Sequence, residues 1–364
     1  MEKTRNTGID FLRILSMLLA VILHVQGHGA IVEHAAPFSA HEAVAVWYHS
    51  MAYCAVNIFG LISGYVMVSS GVKLKNLILL WMQVFFYSFG ITLLAAVMGW
   101  MDPDRTFWLE SLFPVFGKQY WYFTAYFGMM LLAPAAVYAV NHMPKKLLRG
   151  MLIALAVLVS AACTLTKLDP FRYNTGYAPA WLLVLFLAGG YIRKHGAFTG
   201  WSSKKLLIGY LVFTGICWGL TYVSRLPQYF YAPWLENLSM FTYTSPTALG
   251  AAVMLFLCCE RHTFGSRVTK LTKMLSPFAF GVYLVHVHPV VWQQLGWRFH
   301  PYLQLPAWLM ALAVPLTAAA IYLAGTLIDW LRSILFRVFR LEKLAGWLAG
   351  RIASVGEWIG QKCE

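Results

Sequence analysis

The chain has 364 residues, of which 60% are apolar and only 12% charged, with a mean hydropathy of +0.63. A soluble chain carries roughly 25% charged residues, so this one has too few for a water-facing shell and too much apolar surface for one core. Disorder, coiled coil, collagen and a disulfide scaffold are excluded by the same figures, and an all-α integral membrane protein remains. The net charge of +14, from 28 Lys and Arg against 14 Asp and Glu, would suggest nucleic acid in a soluble protein. Here it first asks whether the cations sort to one side of a bilayer. The six cysteines lack paired spacing and read as small apolar residues.

A helix needs ~20 residues to cross hydrocarbon. The apolar runs predict about ten spans, at 9–30, 46–68, 77–99, 121–141, 150–166, 177–192, 206–223, 239–259, 276–295 and 307–330. An even number places both termini on one side. With the N-terminus inside, 22 of the 28 Lys and Arg are cytoplasmic, and Arg105, Lys118, Lys167, Arg172, Arg225 and Arg298 fall outside. That is the positive-inside pattern, so the expected location is the plasma membrane with both termini cytoplasmic. The first run contains Asp10 and Arg13, unlike a signal-peptide core. Residues 1–331 form the expected membrane domain. Residues 332–364 form a basic amphipathic tail with Trp347 and Trp358, expected to lie as an interfacial helix on the inner membrane surface.

Ionisable groups inside spans are costly and invite functional readings. In span 1, Arg13 and His24 are eleven residues apart, which puts them on one helix face about 16 Å apart along the axis. Asp10, one turn before Arg13, is placed to pair with it. Arg13 is either a grip on a cytoplasmic anion or an interfacial arginine reaching headgroups; His24 is either a proton carrier or a helix-packing hydrogen bonder. His49 opens span 2, where Gly60 and Gly64 form a G-x-x-x-G packing motif and Ser63 is a further hydrogen bonder. Lys73 and Lys75 follow, as topogenic charges or a second anion clamp. Span 4 opens with Tyr120, Trp121, Tyr122, Phe123 and Tyr126, the pattern of an interfacial aromatic belt. Span 9 carries His286, His288 and the helix-interrupting Pro289. Asp329 is read as ending span 10, leaving no mid-span carboxylate of the kind a coupled transporter uses. No nucleotide, zinc-hydrolase or serine-hydrolase motif occurs, and no metal site is expected.

The segment GIDFLRILSMLLAVILHVQ, with its R-x10-H spacing, resembles the first helix of the acyltransferase-3 family of integral-membrane acyltransferases. The likeness continues through NIFGLISGYVMVSSGVKLKNLILLWMQVFFYS, YWYFTAYFGMMLLAP and FGVYLVHVHPVV, in order, to about Asp329. It implies a ten-helix bundle that moves an acyl group, often acetyl, from cytoplasmic acyl-CoA to a hydroxyl of a cell-envelope or exopolysaccharide acceptor. It makes His24 the expected catalytic residue, supported by Arg13. Members often carry Arg-x-Arg after the second helix, where this chain has Lys73 and Lys75, which lack the bidentate fork of arginine. A W-S-L-x-x-E run of polysaccharide-modifying members is replaced here from Trp121 to Tyr126, with Tyr126 at the glutamate position. The chain is similar to short Gram-positive-type members without a soluble appendage, including the membrane portion of vancomycin-resistance serine racemases.

The resulting expectation assigns catalysis to His24, Arg13 and Asp10, and donor phosphates to Arg13, Lys73 and Lys75. Neutral His24 is a general base, with a covalent acyl-histidine relay as its variant. His286, Tyr126, Trp121 and Ser63 are acceptor or oxyanion contacts. Acyl-CoA is a co-substrate, with no resident cofactor; the bilayer and a glycan or other hydroxyl acceptor are the partners. The rival readings are a permease or flippase for a polar metabolite or lipid-linked saccharide, and a non-catalytic scaffold. Acceptor identity, chain length of the acyl group and oligomeric state stay open.

Overall fold

The computed structural model describes residues 6–117, 119–224 and 240–363, with side chains up to Ser354 in the last helix. Lys3, Arg5, Lys118, Arg225 and the start of the span at 239 lie outside the described residues, as do the side chains of Trp358 and Lys362. Among the described residues every regular element is helical. In chain order these are α1 (Thr7–Gln26), α2 (Ala40–Ala52), α3 (Ala55–Ser70), α4 (Leu74–Val97), α5 (Arg105–Leu112), α6 (Trp121–His142) and α7 (Lys145–Leu155). A π-helical stretch, Ala156–Ala162, carries α7 into α8 (Cys163–Thr166), and α9 (Pro179–His195) and α10 (Ser203–Val223) follow. The chain then forms α11 (Pro246–Arg261), α12 (Ser266–Leu275), α13 (Ala279–His286), α14 (Pro289–Leu295), α15 (Ala307–Val338) and α16 (Leu341–Cys363).

Seven helical stretches are long and apolar enough to cross a membrane, and a bent pair, Ser266–His286 with Pro289–Gln304, makes an eighth. The other two segments read as spans, α9 and α11, are helices of 17 and 16 residues, short of the ~20 a straight crossing needs. The second expected span is broken at Tyr53 and Cys54 between α2 and α3. The ninth turns through 78° because Pro289 has no N–H to donate and pushes His288 out of helical geometry.

Asn6 starts α1: its Oδ1 accepts the N–H groups of Gly8 (2.8 Å) and Ile9 (3.2 Å), a side-chain N-cap. Of the apolar windows, 67% of that in α1 and 72% of that in the α2–α3 stretch are buried inside the protein, against 22% for α4 and 28% for α15, so α1 and α2–α3 form the interior and α4 and α15 face outward. Leu131, Leu132, Leu316 and Leu323 are exposed on α6 and α15, as lipid-facing positions should be. With no hydrophobic drive between helices in lipid, close backbone approach supplies the contact. The G-x-x-x-G of α3 serves that purpose: a Cβ on Gly64 would lie 1.8 Å from the Phe186 carbonyl oxygen, and one on Gly189 of α9 would lie 2.0 Å from that of Leu61.

One position differs from the sequence reading: Asp329 does not end its helix, because α15 continues to Val338 and buries Asp329 completely. Arg340 then takes a left-handed conformation (φ 52°), a helix-terminating turn, and α16 folds back to pack against α4.

Candidate active site

The last turn of α1 and the last turn of α13 meet. His24 Nδ1 lies 2.8 Å from His286 Nε2, and His286 Nδ1 lies 2.5 Å from the Val282 carbonyl oxygen one turn back on its own helix. A carbonyl only accepts, so the His286 proton sits on Nδ1 and its Nε2 carries a lone pair. With both rings neutral, His24 must donate from Nδ1, which leaves the His24 Nε2 lone pair uncommitted. This tautomer follows from the hydrogen-bond network. His286 is buried, whereas His24 is half-buried and has its ring edge against Trp292 (centroids 4.8 Å apart, 88°). Trp292 is held in turn by His28, which stacks on it at 4.0 Å and whose Nε2 lies 2.7 Å from its carbonyl oxygen.

Arg13, on the same helix as His24, is gripped by Asp10, with Nη1 2.6 Å from Oδ1. Asp10 is 1% exposed and the arginine side chain 33%, so a buried carboxylate aims a half-exposed cation. Arg13 lines a cavity of about 500 Å³ between α1, α3, α4, α6 and the Ser276–Phe280 segment. Ser63 and Tyr126 line the same cavity, so three of the expected site residues converge there. Ser63 Oγ donates to the Phe59 carbonyl (2.8 Å).

His24 does not line this cavity. Between them stands a pair of tyrosines: Tyr122, in the cavity wall, donates its backbone N–H to Tyr283 Oη (3.3 Å), and the Tyr283 ring lies 6.4 Å from that of His286. Tyr122 and Tyr283 escaped the sequence reading because they looked like belt and core aromatics. The spacing of Tyr283 three residues before His286 puts them on one helix face, and His28 four after His24 carries the same signal.

Trp121 is directed elsewhere, against Tyr177 (4.3 Å) and stacked on Tyr243 (5.7 Å, 20°). Lys73 immediately precedes α4 without a side-chain capping hydrogen bond, and Lys75 Nζ pairs with Glu342 Oε1 of α16 at 2.7 Å; neither lines the Arg13 cavity. The Lys75 ammonium holds the Glu342 carboxyl below the usual carboxylate range. His288 is fully occupied: Nδ1 accepts the Val290 N–H (3.3 Å) and Nε2 faces the Ser88 carbonyl (3.2 Å) and Thr92 Oγ1 (3.3 Å). Buried Asp329 accepts from Tyr87 Oη (2.8 Å), Gln83 Nε2 (3.0 Å) and both Nε and Nη2 of Arg332 (2.9 Å each). Its carboxylate also lies against Gly281 of α13, where a Cβ would fall 2.0 Å from Asp329 Cγ. The network thus pins the helix that carries His286.

A hydrogen-bonded histidine pair and an anchored arginine on a bundle of membrane-length apolar helices define a membrane protein with an internal polar site. Over residues 6–328 the chain matches the acyltransferase-3 family model, an acyltransferase domain. It belongs to that family, and is therefore an acyltransferase. No curated protein and no solved structure matches it.

Proposed function

We propose that this protein is a plasma-membrane O-acyltransferase, its N- and C-termini cytoplasmic, that moves an acyl group, acetyl in the first instance, from acyl-CoA to a hydroxyl of a cell-envelope glycan. The observation that carries the reading is the one-directional chain Val282 carbonyl, His286, His24, which presents an unprotonated Nε2 on a half-buried ring. General-base catalysis needs that arrangement, and the donor arrives from the Arg13 side.

In the proposed step, His24 Nε2 takes the proton of the acceptor hydroxyl as its oxygen attacks the thioester carbonyl. The tetrahedral intermediate collapses with loss of the C–S bond, and the imidazolium returns the proton to the departing thiolate. The products are the ester and free CoA thiol. His286 stabilises the transient His24 imidazolium because its Nε2 already accepts the Nδ1 proton. Both His286 nitrogens are engaged, which favours a positioning role over the oxyanion contact expected from the sequence. Tyr126 and Ser63 remain as contacts for the acyl arm in the Arg13 cavity, and Trp121, with Tyr177 and Tyr243, as an aromatic face for the acceptor. The Tyr122–Tyr283 pair stands where the thioester passes to reach His24. Arg13, oriented by Asp10, attracts the donor's anionic groups.

A permease reading requires a carboxylate free to load and release a cation. Asp329 is held by four donor contacts from three side chains, which supports transfer over transport. The test is purified protein in proteoliposomes supplied with labelled acetyl-CoA and envelope glycan. Label appearing as an acetyl ester, detected by mass spectrometry, is the expected result. Glycan flux without CoA and without ester would overturn the proposal.

A further inference from the structure

A second cavity, of about 530 Å³, lies between α4 and the turn joining α15 to α16. Its wall carries Arg332, Arg337, Arg340 and Lys343. Its single carboxylate, Glu342, is already paired with Lys75. The fork of Arg332 is taken by Asp329, and its guanidinium lies 4.6 Å from the centre of the Phe336 ring in the same wall. Arg337 has only the Ser333 carbonyl at 3.3 Å, and Arg340 and Lys343 have no carboxylate partner among the described residues. The left-handed turn at Arg340 is what gathers them. On one uninterrupted helix, positions 337, 340 and 343 would drift around the axis by about 60° at each step; the turn folds the third onto the mouth that the first two line.

Leu80 of α4 lines both this cavity and the one that holds Arg13, so the two adjoin. The family match ends at residue 328, and all four cations lie beyond it. Chemistry that fits a wall of three unneutralised cations beside an aromatic ring is a multiply phosphorylated nucleotide: arginine and lysine for phosphates, the ring for a base.

We propose that this cavity holds the nucleotide end of the acyl donor, with the pyrophosphate and the ribose 3′-phosphate of acyl-CoA against Arg337, Arg340 and Lys343, while the acyl arm runs past Leu80 toward Arg13. The inference rests on the acyl-CoA reading above. It moves phosphate recognition from Lys73 and Lys75 to the α15–α16 turn, and gives Lys75 the task of anchoring that turn through Glu342. An anionic lipid headgroup offers the same phosphate chemistry, so the test separates the two.

The experiment uses the full chain in phosphatidylcholine nanodiscs, titrated calorimetrically with CoA and with 3′-dephospho-CoA, and repeated with phosphatidylglycerol added. Wild type is expected to bind CoA more tightly than dephospho-CoA. The pair Arg337→Glu/Lys343→Glu is expected to weaken CoA at least 10-fold, about 1.4 kcal/mol, and to erase the preference for the 3′-phosphate. The milder Arg337→Gln/Lys343→Gln moves both in the same direction should charge reversal harm folding. Lys270→Glu, an exposed cation on α12, leaves CoA affinity unchanged. Equal CoA affinity in wild type and both pairs overturns this site while leaving the donor reading intact. Abolition of CoA binding by phosphatidylglycerol overturns it in favour of lipid. A wild-type protein that binds no CoA removes the donor reading itself.

Discussion

Replacing His286 with phenylalanine keeps a ring in the packed site while deleting the acceptor for His24 Nδ1, now 2.8 Å away. A buried N–H without a partner costs about 1–3 kcal/mol. His24 escapes that cost by moving its proton to Nε2, which turns the lone pair away from the substrate and toward the new phenyl ring. Working through Nε2 then requires the unfavourable tautomer, and 1–3 kcal/mol corresponds to roughly 5- to 150-fold in rate at 1.4 kcal/mol per decade. We expect kcat for acetyl transfer to fall about 10- to 100-fold with donor KM within about threefold, since His286 does not line the cavity that Arg13 occupies. His286→Gln, whose amide oxygen accepts a hydrogen bond, should recover part of the loss. The assay is steady-state release of CoA thiol with matched expression and thermal stability. A phenylalanine variant with kcat within twofold of wild type would refute the tautomer argument.

Arg13→Glu places a like charge on the donor's path and leaves Asp10 buried beside it; donor KM should rise at least 10-fold, and an unchanged KM contradicts the proposed donor role. Asp329→Leu strands Arg332, whose side chain is only 12% exposed, at a cost of about 3–5 kcal/mol. It should lower the detergent-solubilised Tm, with Asp329→Leu/Arg332→Leu restoring most of it, and equal Tm for all three proteins contradicts the assigned network. The Glu342 carboxyl is depressed by Lys75, so the link between α16 and α4 is present above the ordinary carboxylate pKa and lost as pH falls through the lowered one. Protection of the α16 amides, taken relative to their intrinsic exchange rate at each pH, should therefore be highest at neutral pH and fall modestly in acid or in high salt; in Glu342→Gln it should be low throughout, and a protection profile identical to wild type rules the link out.

Hydropathy and charge alone reveal an all-helical membrane protein, because 20-residue apolar runs have few other uses. The pairing of Arg13 with Asp10 was readable from the 3.6-residue period, since both lie on one helix one turn apart. Contacts between helices were not. His24 and His286 are 262 residues apart, and their meeting depends on how α13 packs against α1, which local pattern does not encode. Tyr122 and Tyr283 look like ordinary membrane aromatics until packing sets them between the cavity and the histidines. The pairing of Lys75 with Glu342 was hidden because it requires α16 to fold back onto α4. The amphipathicity of the basic tail was visible in the sequence, whereas the left-handed turn at Arg340 that precedes α16 was not. Asp329 was placed at a span end by its charge, whereas three donor side chains make its full burial tolerable.

The most direct measurement is a single-turnover reaction of labelled acetyl-CoA with wild type and His24→Ala, each saturated with donor and presented with the same envelope glycan. General-base loss is worth about 10²- to 10⁴-fold, so the account predicts an ester-forming burst in wild type and a rate lower by that factor in the variant, with CoA still bound. Equal bursts from the two proteins would contradict it.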